Sequence, residues 1–424
     1  MLKFINGFNL TIFLLFTILY FYQIVYAFVA LRREKNQREV IAQKLHRYAF
    51  IIAARNESAV IGQLIRSIHK QNYPQELIDV FVVADNCTDN TAEVACGEGA
   101  IVYERFNREQ VGKGYALDYI FNIIEASYQD RGYEGFFVFD ADNLLDESYV
   151  AEMNKVFDSG YRIITSYRNS KNYDSNWISA GYALWFLREA KYLNYPRMRL
   201  GTNCAISGTG FLVSSEIIRE NHGWKYNLLT EDIEFSIANA IKGERIGYCG
   251  TAKIYDEQPC TFAQSWNQRL RWSKGFFQVF GRYGFTLFKT IFTQRSFSCF
   301  DMLMTIAPAT FVSLFSIFVN AFILVSTLIA PTQSAQIIGI TLGAIGAALI
   351  NFYVVLFAFG VLTTITEWNE IQASTFKKIL YTFTFPVFIY TYIPITIVAL
   401  FKKIEWKPIT HNICKSIDEI QQRT

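Results

Sequence analysis

Three long parts of this 424-residue chain contain no charged residue, although Asp, Glu, Lys and Arg make up 18% of the sequence. They cover residues 4–31, 302–366 and 379–401, which are 28, 65 and 23 positions long. A helix needs about 20 apolar residues to cross a bilayer, and buried helices of soluble proteins rarely run this long without charge. This absence argues against a large soluble protein and for a chain that enters a membrane.

The charge-free parts predict four membrane spans. One lies at the N-terminus, two fit into the middle part on either side of a turn at 331–334, and one candidate lies near the end. Pro386 and Pro394 interrupt that last stretch, which is then kinked, re-entrant or accompanied by an extra span. The choice stays open, because three spans after the soluble part would place the lysines of 402–407 outside, whereas lysines beside a span favour the cytoplasm.

The first apolar run is about twice as long as that of a cleaved signal peptide, so it predicts an uncleaved anchor. Arg32, Arg33 and Lys35 follow it and favour the cytoplasmic side for that end. We therefore expect a protein of the cell membrane with its N-terminus outside and residues 32 to about 295 in the cytoplasm.

Other patterns that are missing exclude further classes of protein. The seven cysteines form no Cys-x-x-Cys pair, and their odd number favours free thiols in a domain that faces the cytosol. The Gly-x-x-x-x-Gly-Lys-Ser/Thr spacing of a P-loop is absent. The net charge of +3 is too small to indicate a nucleic-acid partner.

Short apolar runs alternate with amphipathic segments in the first part of the soluble region. The predicted strands are 48–54, 80–84, 100–103 and 135–139, and the predicted helices are 60–70, 91–96 and 115–127. This alternation favours an α/β fold in which a mostly parallel sheet has helices on both faces. Ligands of such sheets bind beyond the carboxyl ends of the strands.

Acidic residues follow three of these predicted strands. They are Glu57, Asp85, Asp140 and Asp142. An Asp-Ala-Asp sequence can simply cap the backbone of a turn. Four carboxylates at one crevice repel one another, however, unless a cation is held there, and Mg²⁺ or Mn²⁺ prefers such oxygen ligands together with phosphate oxygens. The sequence predicts a divalent cation site at Asp140 and Asp142.

Two further motifs carry charge. Lys113 lies between Gly112 and Gly114, so it is either a solvated loop lysine or a contact to a phosphate or a uracil ring. Glu231 and Asp232 follow Thr230 at the start of a predicted helix, where acids favour the helix dipole. Asp232 is our candidate for a general base that accepts the proton of an attacking hydroxyl.

The pentapeptide 268–272 (Gln-Arg-Leu-Arg-Trp) lies about 35 residues after the acidic triplet 230–232 and before the two C-terminal apolar parts. Together with the acidic residues it resembles the motifs of membrane-embedded family 2 glycosyltransferases: the cellulose, chitin, hyaluronan and poly-N-acetylglucosamine synthases. The resemblance covers residues 48–275 and implies a GT-A fold. Alone, Gln268 or Trp272 could be an interfacial residue beside a membrane.

The resemblance also implies roles. Glu57, Asp85 and Lys113 correspond to nucleotide-binding positions. Asp140 and Asp142 correspond to the Asp-x-Asp pair, with Asp142 nearest the metal, and Glu231 and Asp232 correspond to the acidic triplet with its base. Gln268, Arg271 and Trp272 correspond to the motif that closes over the diphosphate and forms the floor of the acceptor channel. Arginine suits a diphosphate because it donates in a bidentate manner, and a Trp face suits a pyranose ring.

Some features depart from the family pattern. Only one aspartate follows the second strand, in Ala84-Asp85-Asn86-Cys87, and a Phe-x-Val-Thr segment is absent. The absence of that gating segment argues against a cellulose synthase gated by a cyclic dinucleotide. One span precedes the soluble domain where many synthases have two, so a second copy or an accessory subunit would complete a channel.

We predict an inverting, processive β-glycosyltransferase that uses a UDP-sugar, with UDP-glucose favoured slightly over UDP-N-acetylglucosamine. The alternatives are the transfer of one sugar to a membrane lipid, and a transporter or scaffold with an inactive domain. The predicted units are an N-terminal membrane helix, a cytosolic GT-A domain, an interfacial amphipathic helix, a C-terminal membrane region and a polar tail. They cover residues 1–31, 32–274, 275–296, 297–405 and 406–424.

Overall fold

In the computed structural model of the chain, the described residues are 2–32, 41–306, 308–329, 334–404, 411 and 413–421. The N-terminal apolar run forms two helices, α1 Leu2–Tyr20 and α2 Tyr22–Leu31, rather than one. A mixed α/β domain follows, and long apolar helices come after it. Except for Ser334, the turn predicted at 331–334 lies outside the described residues.

Eight strands form the sheet of the α/β domain. They are β1 Tyr48–Ala54, β2 Ile78–Asp85, β3 Ile101–Arg105, β4 Gly135–Asp140, β5 Leu144–Leu145, β6 Ile163–Ser170, β7 Phe211–Ser214 and β8 Ile246–Asp256. Their order across the sheet is β3-β2-β1-β4-β7-β6-β8-β5. The first four are parallel neighbours, whereas β7 is antiparallel to β4 and β6, and β5 to β8. This mixed sheet confirms the predicted GT-A fold class.

Helices cover both faces of the sheet. They are α3 Ile61–His69, α4 Thr91–Gly97, α5 Lys113–Ser127, α6 Tyr149–Asp158, α7 Trp177–Glu189, α8 Tyr195–Leu200, α9 Ser215–Glu220 and α10 Glu231–Lys242. One apolar core packs α5 and α7 against one face, and a second core packs α3 and α6 against the other. The central strands are continuous apolar runs because neither of their faces meets water.

Strand register brings the carboxyl ends of three strands to one edge. Ala54 of β1 pairs with Ala84 of β2, and Ala53 pairs with Asp140 of β4. The loops that follow β1, β2 and β4 therefore begin side by side. This edge is where an open α/β sheet binds its ligands.

Six apolar or amphipathic helices follow the sheet domain. They are α11 Phe262–Thr293, α12 Phe297–Ile306, α13 Pro308–Ile329, α14 Ser334–Thr366, α15 Thr375–Tyr390 and α16 Tyr392–Phe401. Four segments of the described residues are long and apolar enough to cross a membrane: Lys3–Tyr20, Phe311–Ile329, Ala335–Thr366 and Thr375–Phe401. The structure therefore contains four candidate spans at the predicted places. The last of them is interrupted at Thr391, between the two prolines.

Helix α11 is one continuous helix of 32 residues. The boundary predicted at 274/275, between the catalytic domain and an interfacial helix, thus falls inside a helix rather than between two. Thr261 caps its start by accepting a hydrogen bond from the Gln264 amide at 3.3 Å. Phe285, Phe288 and Phe292 are exposed along one side of its second half. An amphipathic helix with such a side can lie on a membrane surface.

The predicted polar tail, 406–424, is described only at 411 and 413–421, and this part packs onto the sheet domain. The described part includes a short helix, α17 Ile417–Gln421. Ile417 and Ile420 are buried against Leu144 of β5 and Tyr255 of β8. The tail is therefore anchored by apolar contacts at the strand pair that extends the sheet beside the ligand-binding edge.

Candidate active site

The four acidic residues predicted at strand ends lie along one edge of the sheet. Asp85 and Asp140 are the last residues of β2 and β4, Glu57 follows β1, and Asp142 follows β4. Because β1 lies between β2 and β4, the loops that carry these side chains are neighbours. The structure thus brings together the residues that the sequence pattern predicted to meet.

Asp85 is paired with an arginine that the sequence analysis did not single out. Arg105, the last residue of β3, donates from Nη1 to Asp85 Oδ1 at 2.6 Å, and both side chains are buried. The same guanidinium donates from Nη2 to the Gln110 carbonyl at 2.8 Å. Asn86 also donates to Asp85 Oδ1, at 3.1 Å. These bonds hold the Asp85 carboxylate in a fixed orientation at the strand end.

Lys113 is the first residue of α5 and points across the edge to β4. Its Nζ donates to Asp140 Oδ1 at 2.5 Å and to the Gly208 carbonyl at 2.7 Å. The flanking glycines are explained by the backbone conformation and packing of the domain. Gly112 has a φ of 135°, and a Cβ on Gly114 would lie 2.1 Å from the Tyr226 carbonyl oxygen. Gly114 therefore allows the start of α5 to lie against the loop that precedes α10.

The segment 207–210 (Ser-Gly-Thr-Gly) connects the carboxylates of β4 to those of α10. Thr209 Oγ1 accepts a hydrogen bond from the Asp140 amide at 2.9 Å and donates to Asn143 Oδ1. A Cβ on Gly208 would be 3.6 Å from Asp232 Oδ2, so this backbone passes next to Asp232. The segment therefore forms a wall between the strand edge and the start of α10.

Glu231 and Asp232 occupy the first turn of α10. Burial raises the pKa of both carboxyls, and the neighbouring Asp232 charge helps to bring the pKa of Glu231 to about 7. The positive charges of Lys113 and Arg271 act in the opposite direction on both residues. A carboxyl whose pKa is near the working pH is suited to accept a proton.

The pentapeptide 268–272 lies inside α11, so its side chains point to different sides of one helix. Trp272 packs edge-on against Tyr182 and Phe186 of α7, at centroid distances of 5.7 and 6.3 Å. The buried Oε1 of Gln268 has no hydrogen-bond partner in the described part of the chain. Arg271 is thus close enough to the acidic pair of α10 for its charge to act on both carboxyls, whereas Trp272 packs on α7 and Gln268 keeps one buried polar atom without a partner among the described residues.

Arg269 of the same pentapeptide points away from the acidic residues. It is fully buried and donates from Nη1 to the Phe388 carbonyl at 3.0 Å and to Thr391 Oγ1 at 2.5 Å. Its guanidinium also lies 4.4 Å from the Phe388 ring centroid. Arg269 therefore links α11 to the last candidate span.

Asp142 is buried and surrounded by positive groups. Its Oδ2 accepts from the Glu257 amide at 2.9 Å and lies 4.0 Å from His411 Nε2. Burial acts to raise the pKa of Asp142, but the charges of His411 and Lys171 outweigh it and lower the pKa below its ordinary value. Asp142 is therefore ionised, as a carboxylate that binds a cation has to be.

Residues 46–275, more than half of the chain, match the sequence pattern of the family described as "Glycosyltransferase like family 2". The chain belongs to glycosyltransferase family 2. The matched region contains the sheet, α10 and the pentapeptide at the start of α11. The family resemblance inferred from those motifs is thus confirmed.

Relatives of this family 2 glycosyltransferase fall into different functional groups. It is 24% identical to "Probable glycosyltransferase YdaM" of Bacillus subtilis over 55% of the chain, and 24% identical to "Beta-monoglucosyldiacylglycerol synthase" of Nostoc sp. over 65%. It is 23% identical to "Poly-beta-1,6-N-acetyl-D-glucosamine synthase" of Staphylococcus epidermidis over 58%. The chain spans between 56% and 59% of the length of these relatives.

The fold is also similar to that of a solved structure. The mannosyltransferase PcManGT from Pyrobaculum calidifontis, in complex with GDP-Man and Mn²⁺, superposes with a TM-score of 0.52 at 14% identity. The match covers 94% of this chain and 99% of that one. At this identity the similarity concerns the fold alone, and it includes the apolar helices beyond the sheet domain.

The described residues of this glycosyltransferase fit a cation site that is completed by a bound diphosphate better than a site made of protein side chains alone. Among the described residues, no cluster of three His, Cys, Asp or Glu side chains is arranged to hold a metal ion by itself. Asp140 is bonded to Lys113, whereas Asp142 is ionised at the strand edge. One or two carboxylates plus phosphate oxygens form the usual Mg²⁺ donor set. A cation would thus be held between Asp142 and a bound diphosphate.

Several residues near the site were not predicted. Arg105 and Arg168 lie on strands, Lys171 follows β6, and His411 comes from the tail. Arg168 Nε donates to Asp256 Oδ2 at 2.6 Å, and Arg168 Nη1 donates to the Ser207 carbonyl at 2.7 Å. Arg105 lies two positions after the predicted strand 100–103, and Arg168 lies in a polar part of β6, so no local pattern marks either residue. Each charge is paired with an aspartate that is distant in sequence.

Proposed function

We propose that this family 2 glycosyltransferase is an inverting, processive enzyme that extends a β-linked glycan with sugar from a UDP-sugar donor. The observation that carries the proposal is the placement by α11 of Arg271 near the Glu231–Asp232 pair and of Trp272 against Tyr182 and Phe186. A guanidinium suits a diphosphate, and an aromatic floor suits a sugar ring that slides after each addition.

In the proposed reaction, Asp232 accepts the proton of the acceptor hydroxyl, and the hydroxyl oxygen forms the new bond to C1 of the donor sugar. The bond from C1 to the β-phosphate oxygen breaks, and its electron pair leaves with UDP. Attack opposite to the leaving group inverts the configuration at C1. Lys113 and Arg271 provide positive charge beside the diphosphate, and a divalent cation at Asp142 supplies further charge neutralisation when bound.

The other predicted residues have binding roles in this proposal. Asp85, fixed by Arg105, contacts the nucleoside, and Asp140 positions Lys113 near the phosphates. Glu231 keeps a negative charge beside the base and Gln268 offers its unpartnered Oε1 to the acceptor. Glu57 belongs to the same donor site, next to Asp142.

The donor favoured first is UDP-glucose and the second is UDP-N-acetylglucosamine, and relatives named for both sugars support this short list. The sheet domain faces the cytoplasm in this proposal, because Arg32, Arg33 and Lys35 follow the first apolar run. The four candidate spans hold the domain at the membrane and provide a route for the product.

A second candidate function is the transfer of a single sugar to a membrane lipid. The similarity to monoglucosyldiacylglycerol synthases, over 65% of the chain for the Nostoc protein, favours it. Both candidates use the same donor site and base, and they differ only in the acceptor.

Product size separates the two functions. Membranes that contain the full-length protein are incubated with radiolabelled UDP-glucose or UDP-N-acetylglucosamine, and the products are divided into high-molecular-weight and organic-soluble fractions. The proposal expects label in a polymer that a linkage-specific β-glycanase degrades. Label only in the lipid fraction would establish the second candidate, and the Asp232→Asn protein serves as the control for background transfer.

A further inference from the structure

Glu189, the last residue of α7, contacts the wall that passes next to Asp232. Ser207 Oγ donates a hydrogen bond to Glu189 Oε1 at 3.0 Å. Ser207 directly precedes Gly208, where a Cβ would lie 3.6 Å from Asp232 Oδ2. Burial raises the pKa of the Glu189 carboxyl, and the charge of Asp232 acts in the same direction. The two carboxyls therefore contact adjacent residues of one segment, close enough for one charge to act on the other.

Glu189 is also linked to the aromatic side chains that are proposed to carry the acceptor sugar. Phe186 lies one helical turn before Glu189 on α7, and its ring centroid is 6.3 Å from that of Trp272. Arg168 Cζ lies 3.7 Å from the centroid of the Phe186 ring, and Arg168 Nη1 donates to the Ser207 carbonyl at 2.7 Å. Direct contacts thus hold the aromatic rings, the wall and Glu189 in one arrangement.

The helix changes its type directly after Glu189. Ala190–Asn194 form a π-helix, a rare conformation that frequently occurs at functional sites. The preceding residue, Arg188, points to the apolar helices: its Nη2 donates to Gln23 Oε1 of α2 at 3.1 Å, and its Cζ lies 5.1 Å from the centroid of the Phe359 ring of α14. Glu189 therefore lies on the side of the site that is next to the apolar helices.

The carboxyl of Glu189 has an oxygen that is available to a ligand. The bond with Ser207 uses Oε1, and no hydrogen bond from another described residue reaches Oε2. The residue is partly exposed, so a small molecule can approach it. A carboxyl accepts a hydrogen bond from a hydroxyl in its ionised form and also in its neutral form. A compound whose reactive hydroxyl meets Asp232 can thus present a second hydroxyl to Glu189.

We propose that Glu189 binds the acceptor by accepting a hydrogen bond from a hydroxyl next to the one that Asp232 deprotonates. This inference rests on the proposed transfer to a glycan and assigns one more residue to acceptor recognition. A terminal sugar carries adjacent hydroxyls, whereas a diacylglycerol has one free hydroxyl and cannot contact both carboxyls in this way. Glu189 therefore favours the sugar end of a glycan over a diacylglycerol as the acceptor.

Oligosaccharide binding tests the proposal without any turnover. The full-length protein in detergent, saturated with UDP in the presence of Mg²⁺, is titrated calorimetrically with cellotetraose, laminaritetraose and chitotetraose. UDP affinity is measured in a separate titration. The variants are Glu189→Ala and Glu189→Gln. The control is Glu125→Ala, which changes an exposed glutamate of α5 whose Oε1 accepts from Gln129 at 3.2 Å.

The wild type and the control are expected to bind at least one of the tetrasaccharides with equal affinity. Glu189→Ala should weaken this binding about 10- to 100-fold, the loss expected for one hydrogen bond to a charged group. Glu189→Gln should lose less, because its amide oxygen still accepts a hydrogen bond. UDP affinity should be the same in all four proteins, whereas a variant that folds poorly would lose both ligands.

Three results would overturn the proposal: an unchanged tetrasaccharide affinity in Glu189→Ala, a parallel loss of UDP affinity, or a wild type that binds none of the three tetrasaccharides. If Glu189→Ala loses tetrasaccharide binding but the wild type forms no polymer from any labelled donor, the role of Glu189 stands and the proposed polymerisation does not. If the wild type forms a polymer and Glu189→Ala binds tetrasaccharides normally, the proposed function stands and the role of Glu189 does not.

Discussion

Lys113 Nζ lies 2.5 Å from Asp140 Oδ1 and 2.7 Å from the Gly208 carbonyl oxygen. A single ammonium group thus connects the end of β4 to the wall that passes Asp232. Its positive charge also opposes the effect of burial on the pKa of Asp232. The lysine acts on the site through its position and through its charge.

Replacing Lys113 by Gln should lower kcat/KM for the donor at least 10-fold, about 1.4 kcal/mol, because the diphosphate loses a charged partner. The same change should move the acid limb of the pH–rate profile to higher pH, since a charge that favours ionised Asp232 is removed. Steady-state kinetics across pH measures both effects. Lys225→Gln, at an exposed lysine paired with Asp118, is the control, and an equal loss there would contradict a local role.

Asp232→Asn should reduce transfer by about 10²- to 10⁴-fold, because a general base contributes a factor of this size. UDP affinity should stay nearly unchanged, since the substitution keeps the shape of the side chain. Radiolabel transfer and UDP titration measure the two quantities separately. A parallel loss of UDP binding would contradict the assignment of Asp232 as the base. Asp130→Asn, in the turn before β4, is the matched control.

The rate of transfer should fall as the pH is lowered through about 7, the pKa to which burial and Asp232 raise Glu231. A carboxyl with a raised pKa is ionised only above that pH, so the pair takes up a proton below it and Asp232 loses its capacity as a base. Glu231→Gln should move this limb to lower pH, because a like charge no longer opposes ionisation of Asp232. A profile that is flat through neutral pH would contradict this account.

Trp272→Ala should raise the KM for the acceptor about 30-fold, or about 2 kcal/mol, because buried tryptophans dominate contact energies at binding surfaces. Trp272→Phe should lose less, since an aromatic face remains against Tyr182 and Phe186. The donor KM should change little in both variants. Acceptor titration at saturating donor measures the effect, and equal losses for donor and acceptor would point to misfolding of α11.

Arg197 and Asp301 form a buried ion pair that joins α8 to α12, with Nε and Oδ2 2.7 Å apart. The hydroxyls of Tyr22 and Tyr26 in α2 also donate to Asp301. Removing the arginine leaves a buried charge unpaired, so Arg197→Met should lower the free energy of unfolding by about 3–5 kcal/mol.

Thermal unfolding in detergent measures the loss at the Arg197–Asp301 pair. The double variant Arg197→Met, Asp301→Leu should recover part of it, because no unpaired charge then remains. Arg131→Met, at an exposed arginine 3.8 Å from Asp79, should change the unfolding temperature little. If the single and double variants are equally unstable, the unpaired charge is not the cause.

Local sequence patterns predict the first half of the sheet well. β1, β2 and β4 are largely apolar, because parallel strands covered by helices bury both faces, whereas the edge strand β3 is only partly buried. β6 and β8 were not predicted, since they carry polar residues such as Arg168 and Asn169 and contain an irregular register near Ser166. Their polar side chains are satisfied by partners distant in sequence, which a local pattern cannot reveal.

The same reason limits what the sequence can reveal about the site. The carboxyl ends of parallel strands lie at one edge of any such sheet. The sequence alone therefore predicts that the acidic residues after these strands meet there: Glu57, Asp85, Asp140 and Asp142. His411 is 354 positions away from Glu57, beyond all the apolar helices. Only the folded chain brings this histidine back to the strand edge.

The two arginines of the pentapeptide serve opposite sides of one helix. Arg269 is bonded to Phe388 and Thr391 in the last apolar segment, while the charge of Arg271 acts on Glu231 and Asp232. If variants of this motif are all interpreted as catalytic defects, losses of folding and losses of activity will be confused. Loss of the first arginine should appear as poor yield of assembled protein, and loss of the second as well-made protein that cannot turn over.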